Sequence, residues 1–361
     1  MGKAQQPASE NAAVFAAARA VCARATRGRG RGAEALAIAL SRLLPRDKRD
    51  GALAIVAGCR LIADAIAATA GDDAAGAGGC CGGGAGAGAA IAEMCRARIE
   101  AIYAGTLHLA IPRPEFRDES EHVLAAVAET VRRFQVPRSL WLDFITGCVA
   151  LRDTQRYATW DALRRRLDAV GGGAAAMLSC VLGLTHSDAR RHATDLGTAA
   201  HLVAIIQDLR AAARPGGTSA LMLPLDDLSR CGCTDREFLS AAGAAGAPDE
   251  RAGRVFQLEV LRARELLAAA SEGLLPWLAG DRERLAAAMV VEWHRAALRR
   301  MERENFDRPG GDGASSAKAT ASLPRLLMTM PAAWRLARRH APRAVPNSPP
   351  PTDAARSSPL Q

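Results

Sequence analysis

Aromatic residues are scarce in this chain of 361 residues: they make up 4% of it, and only 2 of them are tyrosines. Period-two runs of Val, Ile, Thr or aromatic residues are also lacking, so the sequence shows no convincing β-strand. Ribonucleoprotein motifs and zinc-finger spacings are missing too, and we expect no nucleic-acid partner. Alanine, the best helix former, is abundant instead. The composition therefore predicts an all-α protein.

Targeting signals are lacking as well. The first residues are polar, which argues against a signal peptide, and no apolar run reaches the ~20 residues of a membrane span. The 9 cysteines form an odd set without a disulfide framework, which is typical of reduced thiols in the cytoplasm. Cys80-Cys81 and the pair Cys231 and Cys233 have no partners at zinc-site spacing, so we interpret them as incidental thiols.

The formal net charge is +9, and arginine supplies most of the positive charge. Such a surface favours phosphates, acidic lipid or nucleic acid without choosing among them. Residues 323–339 form a basic, apolar helical pattern that suits a docking or surface helix. Contact with a membrane surface is its alternative, because apolar residues and arginines alternate around Trp334.

Three regions follow from composition. Residues 1–32 are a flexible leader, and residues 308–361 hold a linker, the basic terminal helix and a disordered proline-rich tail. Residues 33–307 form the helical domain, with a glycine/alanine low-complexity loop at 71–89. Within this domain we expect a basic turn at 45–49, an amphipathic helix at 119–134, and a helix start near Ser187, the candidate N-cap.

Two apolar helical stretches each carry one carboxylate. Residues 53–68 (LAIVAGCRLIADAIAA) contain Asp64, and residues 196–210 (LGTAAHLVAIIQDLR) contain Asp208. A lone aspartate inside an apolar helix is costly unless something pairs with it. Each could pair with an interior arginine such as Arg60, or the two helices could face each other across a cavity. The second arrangement would suit a divalent cation and an anionic ligand.

Several segments, taken in order, resemble the signatures of one family. They are LLPRDKR at 43–49, Cys59-Arg60 before Asp64, RYATWDAL at 156–163, the glycine-rich stretch 172–183, LGTAAHLVAIIQD at 196–208, LPLDDL at 223–228, and residues 294–307. Over about residues 35–307 the chain resembles the squalene/phytoene synthases, which are all-α isoprenoid synthases.

That resemblance implies a single helical bundle around a central apolar cavity, in which two prenyl diphosphates condense head to head. It also implies Mg²⁺, held by carboxylates spaced i and i+4 on two helices, with basic side chains on the phosphates. The implied catalytic residues are Asp64, Asp208 and Tyr157, and the two aspartates are also the implied metal ligands. The implied substrate-binding residues are Arg49, Arg60, Arg156 and His201.

Each of these residues also has a structural interpretation. His201 could be a core histidine, and Tyr157 a packing residue with its hydroxyl hydrogen-bonded. Arg49 and Arg60 could serve structural salt bridges instead of a diphosphate.

The chain departs from the family pattern at the aspartates. Ala63, Ala67 and Ala212 stand where the signatures have aspartate, and His201 and Ala204 replace a glutamine and an asparagine. We therefore predict weak or absent Mg²⁺ dependence and a cavity lined partly by these four alanines. The departures favour a catalytically degenerate paralogue that binds a prenyl diphosphate or a partner, such as a related synthase subunit. The alternative is an active head-to-head prenyltransferase with a reduced magnesium site.

Overall fold

The computed structural model describes residues 15–27, 38, 40–75, 84–107, 119–154, 156–212, 222–243, 249–304, 306 and 323–340. Its helices, in chain order, are α1 Ala16–Arg27, α2 Arg46–Ala75, α3 Gly84–Tyr103, α4 Glu119–Phe134, α5 Arg138–Asp153, α6 Trp160–Leu167, α7 Gly173–Leu182, α8 Ser187–Ala212, α9 Leu225–Arg230, α10 Asp235–Gly243, α11 Glu250–Leu274, α12 Asp281–Arg303 and α13 Leu323–Arg339. A π-helical segment, Asp168–Gly172, precedes α7, and a 3-10 turn, Leu275–Trp277, follows α11.

The all-α prediction is confirmed. Among the described residues the one β-type pairing is an isolated bridge between Tyr157 and Pro224. The predicted helices at 119–134 and 323–339 have the predicted bounds. The 76–83 part of the glycine/alanine loop, the 308–320 linker and the tail from 341 lie outside the described residues.

Three local predictions were wrong. The basic residues after Pro45 form the first turn of α2 instead of a separate turn, with Asp47 near the helix N-terminus. Negative charge there is favourable because it complements the helix dipole. The supposed loop at 71–89 is helical as far as Ala75 and again from Gly84, where α3 begins. Ser187 is the first residue of α8, one position beyond an N-cap.

The leader includes a packed helix. Ala18 and Cys22 of α1 are buried, and so is Phe15, the residue before the helix. The helix contacts α2 and α4. Arg19 forms an ion pair with Asp50 at 2.8 Å. This part of the leader is therefore docked on the bundle.

The buried apolar residues fall into two cores. The first, which we call the N-terminal core, joins α1 to α5 with α7; the second, the C-terminal core, joins α8 with α11, α12 and α13. Leu43, Leu151 and Leu182 pack against both. Helix α7 contacts both α2 and α8, and so bridges the halves that carry Asp64 and Asp208.

Lys48 ties the two halves together. Its ammonium group donates to the carbonyl of Leu182 at 3.0 Å and to Glu283 on α12 at 2.8 Å. The contact with Lys48 lowers the pKa of Glu283, although partial burial opposes that shift. A charge-assisted contact of this kind joins α2, α7 and α12 at one point.

One stretch of α2, Arg46–Thr69, is long and apolar enough by length and composition to cross a membrane. The charged residues at 46–50, Arg60 and Asp64 interrupt this stretch, so it is not a continuous apolar run of about 20 residues. More than half of the residues in its most apolar part are buried inside the protein. The central helix of a folded core meets the same criteria, because it too is surrounded by apolar side chains.

Candidate functional site

One face of α2 carries the first set of predicted site residues. Arg60, Ala63, Asp64 and Ala67 share this face by their spacing, and all four retain exposure, while Cys59, Ile62 and Ile66 are buried. Arg60 Nε lies 3.2 Å from Asp64 Oδ2. The face therefore presents one arginine–aspartate pair next to two methyl groups.

One face of α8 carries the second set of predicted site residues, His201, Ala204 and Asp208, again at spacings of three and four residues. His201 and Ala204 are half-buried and Asp208 is exposed, whereas Leu202, Val203, Ile205, Ile206 and Leu209 are buried. The side chain of Ala212 lies outside the described residues. The α8 face thus has a single carboxylate, Asp208, one turn after Ala204 and two turns after the imidazole of His201.

Both aspartates lie within the apolar helices that the sequence predicts, but their side chains are not buried. Asp64 is 67% exposed and Asp208 is also exposed. Each carboxylate lies on the accessible face of its helix, so neither bears the cost of burial. The partner proposed for Asp64, Arg60, is confirmed, but the pair is at the surface and not in the interior.

The π-helical segment lies directly on α8, next to His201. A Cβ added to Gly171 would lie 2.6 Å from the carbonyl oxygen of Gly197 and 2.8 Å from His201 Cβ. Only glycine fits that approach, so the close packing positions the His201 side chain against the backbone of the segment. Single π-helical turns occur frequently at functional sites.

A polar cluster that the sequence analysis missed fixes the same segment. Asp168 accepts a hydrogen bond from the Thr198 hydroxyl at 2.6 Å. Arg164 lies 3.6 Å from Asp168 and 3.1 Å from Asp195. Burial raises the pKa of Asp195, although Arg164 opposes that shift. The triple glycine at 171–173 was the available signal, but it suggested only a break between helices.

Arg49 holds the chain segment in front of α2. Its guanidinium donates to the carbonyls of Ser41, Arg42 and Leu44 at 3.3, 2.7 and 3.2 Å. These contacts satisfy carbonyl groups of an irregular segment. Arg49 therefore has a structural role, because it holds the segment that precedes α2.

Arg156 and Tyr157 lie beside the Leu-Pro segment at 223–224. The carbonyl of Tyr157 accepts from the Leu225 amide at 2.9 Å, and Arg156 pairs with Asp235 on α10 at 2.9 Å. Tyr157 is buried within the C-terminal core. Its hydroxyl has no hydrogen-bond partner among the described residues, so the expected bonded hydroxyl was wrong. Burial raises its pKa.

The donor set does not fit a magnesium cluster. Within the described ranges, no group of three His, Cys, Asp or Glu side chains could hold a metal ion; the side chains of Asp72 and Asp73 fall outside those ranges. Mg²⁺ prefers several oxygen ligands in near-octahedral geometry. Asp64 already engages Arg60, and each helix face offers one carboxylate where a cluster needs more.

Residues 32–324 match the family model described as squalene/phytoene synthase. The phytoene synthase of Rhodobacter capsulatus is 29% identical over 301 residues, which cover 79% of this chain and 79% of that protein. The phytoene synthase of Mycobacterium tuberculosis is 28% identical over 148 residues, covering 41% of this chain and 47% of its own.

Solved structures share the fold. A dehydrosqualene synthase in complex with ligand superposes with a TM-score of 0.70 at 18% identity, covering 92% of this chain and 100% of that chain. Squalene synthase HpnC from Alicyclobacillus acidocaldarius superposes with a TM-score of 0.61 at 18% identity, covering 80% and 95%. At this identity the likeness establishes the all-α isoprenoid synthase fold and nothing finer.

Proposed function

Because this chain belongs to the squalene/phytoene synthase family of isoprenoid biosynthesis, we propose that it binds a prenyl diphosphate between α2 and α8 without turning it over. The main support for this proposal is the small number of carboxylates on the α2 and α8 faces. Ala63 and Ala67 are methyl groups on the α2 face, and Asp64 pairs with Arg60. Ionisation of an allylic diphosphate needs its departing charge neutralised, which is usually the largest catalytic contribution.

The diphosphate-binding groups in this proposal are Arg60 and His201. Arg60 is on the accessible face of α2 and is 28% exposed, and His201 on α8 packs against Gly171 of the π-helical segment. A guanidinium can bind phosphate oxygens in a bidentate manner. Arg49 and Arg156 are weaker candidates, because the first binds three carbonyls and the second pairs with Asp235.

An active head-to-head prenyltransferase with a reduced magnesium site is the second candidate. The observation that favours it is the survival of one accessible carboxylate on each helix, Asp64 and Asp208. In that case each aspartate would serve as both metal ligand and catalytic residue, with Tyr157 as a further catalytic group.

The proposal also includes the cellular location and the protein partner. We place the protein in the cytoplasm, peripheral to the membrane, with a related synthase subunit as its protein partner. The net charge of +9 supports contact with anionic surfaces. A family member that holds substrate without converting it would act by presenting it to such a subunit.

The decisive experiment measures binding and turnover separately. The full chain is titrated with farnesyl and geranylgeranyl diphosphate by calorimetry, with and without Mg²⁺, and diphosphate release is followed under the same conditions. The phytoene synthase of R. capsulatus is the positive control. We expect binding without release, and about tenfold weaker binding in Arg60→Gln. Arg96→Gln on α3, similarly exposed and paired with Glu93, is the matched control and should bind normally.

Two results would contradict the proposal. Release at a rate near that of the control enzyme, abolished by Asp208→Ala, would establish the active alternative. Failure of both diphosphates to bind the folded protein would remove the binding role. Restoring aspartate at Ala63, Ala67 and Ala212 completes the test, since the proposal expects that variant to gain Mg²⁺-dependent release.

A further inference from the structure

The outward face of α13 concentrates the exposed apolar side chains of this protein. Leu327, Met328, Met330 and Trp334 are 55, 81, 36 and 49% exposed. Elsewhere in the described ranges only Met94 and Leu261 are large apolar residues with comparable exposure. A contiguous apolar patch of this kind marks an interaction surface, whereas singly scattered residues do not.

The opposite face of α13 fixes the helix on the bundle. Leu326, Thr329, Ala333 and Ala337 are buried at spacings of three and four residues, and α13 contacts α12 along its length. Leu327, Met330 and Trp334 repeat at the same spacing on the outer side. The apolar row therefore points away from a rigid support.

The charges on this helix have one sign. Arg335, Arg338 and Arg339 are exposed, and residues 323–339 contain no acidic residue. The Arg338 guanidinium lies 4.1 Å from the centre of the Trp334 ring. An apolar row with a tryptophan, bordered by arginines, is the pattern of a helix that lies in a membrane interface.

We propose that the outward face of α13 binds the surface of an anionic lipid bilayer. The helix lies parallel to the membrane, with the apolar row at the level of the acyl-chain boundary and the arginines on the headgroup phosphates. A second copy of the chain fits less well, because a symmetric contact would bring like-charged arginines together. This inference is independent of the proposed substrate binding, since the family match ends at residue 324.

Vesicle flotation with the full chain tests the proposal. Vesicles of phosphatidylglycerol and phosphatidylcholine are compared with vesicles of phosphatidylcholine alone, and we expect flotation with the first only. Leu327→Ser combined with Trp334→Ser should weaken binding about tenfold or more. The triple variant Arg335→Gln, Arg338→Gln, Arg339→Gln should weaken binding about a hundredfold, because each basic residue near an anionic surface contributes about 1 kcal/mol. Leu261→Ser on α11, 54% exposed, is the matched control and should float normally.

A second measurement does not depend on the folding of the multiple variants. Bromine-labelled lipid should quench the fluorescence of the unaltered protein more than that of Trp334→Phe. Equal quenching in the two proteins, or flotation that the α13 variants leave unchanged, would overturn the proposal. Lipid-free dimerisation that the α13 variants abolish would overturn it in favour of a contact between copies.

Discussion

The carbonyl oxygen of Gly197 on α8 lies 2.6 Å from the place a Cβ on Gly171 would occupy. A Cβ on Gly197 would in turn lie 2.6 Å from Ala175 Cβ on α7. Real Cβ atoms are not found that close to neighbouring heavy atoms, so the two backbones approach as only glycine permits. This contact fixes the π-helical segment, and with it the place of His201.

Gly197→Ala should therefore destabilise the protein by about 1–3 kcal/mol, because the added methyl group overpacks a backbone contact. Urea unfolding followed by circular dichroism measures the change. Gly253→Ala on α11 is the control, since a Cβ there meets nothing within 4 Å; it should stabilise the helix by about 0.5–1 kcal/mol. Equal effects of the two substitutions would contradict the close packing.

Asp64→Asn should change the free energy of unfolding by less than about 1 kcal/mol. Asp64 is 67% exposed in its ion pair with Arg60, and pairs with an exposed partner contribute little. Glu93→Gln, which removes a similar exposed pair with Arg96, is the control for lost charge. Calorimetric titration with farnesyl diphosphate then isolates any effect on the ligand. A large loss of stability in Asp64→Asn would show that the pair is structural.

Glu259 makes stability depend on pH. It is fully buried, 2.7 Å from Arg262, and burial raises its pKa from 4.5 to about 7. The folded chain keeps a proton that the unfolded chain loses, so the free energy of unfolding should fall as pH rises from about 4.5 to about 7. The contribution is about 3 kcal/mol. Glu259→Gln should remove it and flatten the profile over that range.

Urea midpoints measured between pH 4.5 and 8 check this prediction. Glu265→Gln, at an exposed position on the same helix, controls for the loss of one negative charge. If the Glu259 variant loses stability with rising pH as steeply as the unaltered chain does, the buried carboxyl is not the source.

The two tyrosines of the chain should respond oppositely to loss of the hydroxyl. The Tyr157 hydroxyl is buried and has no partner among the residues that the structure describes, whereas that of Tyr103 donates to the Val136 carbonyl at 2.6 Å. Tyr157→Phe should be neutral or stabilising, since an unpaired buried polar group is removed, and Tyr103→Phe should cost about 1 kcal/mol. Thermal unfolding compares them. A marked destabilisation in Tyr157→Phe would reveal a bonding partner for its hydroxyl.

Helices with a strong two-sided pattern could be predicted from the sequence to the residue. In α4 the apolar positions repeat every three to four residues, and charged residues mark the other face. The start of α2 was missed because Pro45 suggested a break, although proline commonly precedes a helix. The π-helical segment was missed because glycines usually indicate a break between helices. In the sequence, glycines at a turn look the same as glycines that let two backbones pack closely.

The site could be predicted only in part. The sequence placed Asp64 and Asp208 on helices, and both helices exist. It could not show which side of an alanine-rich helix faces water, because alanine suits core and surface equally. Nor could it show that Arg49 binds carbonyls or that Arg156 meets Asp235, since those contacts depend on how separate segments meet.

The division into two cores has a consequence for how the chain folds during synthesis. Apart from Ala286, the N-terminal core is assembled from residues 15–181, so its helices can bury one another before α11 and α12 leave the ribosome. The Lys48–Glu283 contact spans 235 positions and can close only after most of the chain has emerged. We therefore expect two folding phases, with the later one sensitive to Lys48 and the earlier one insensitive to it.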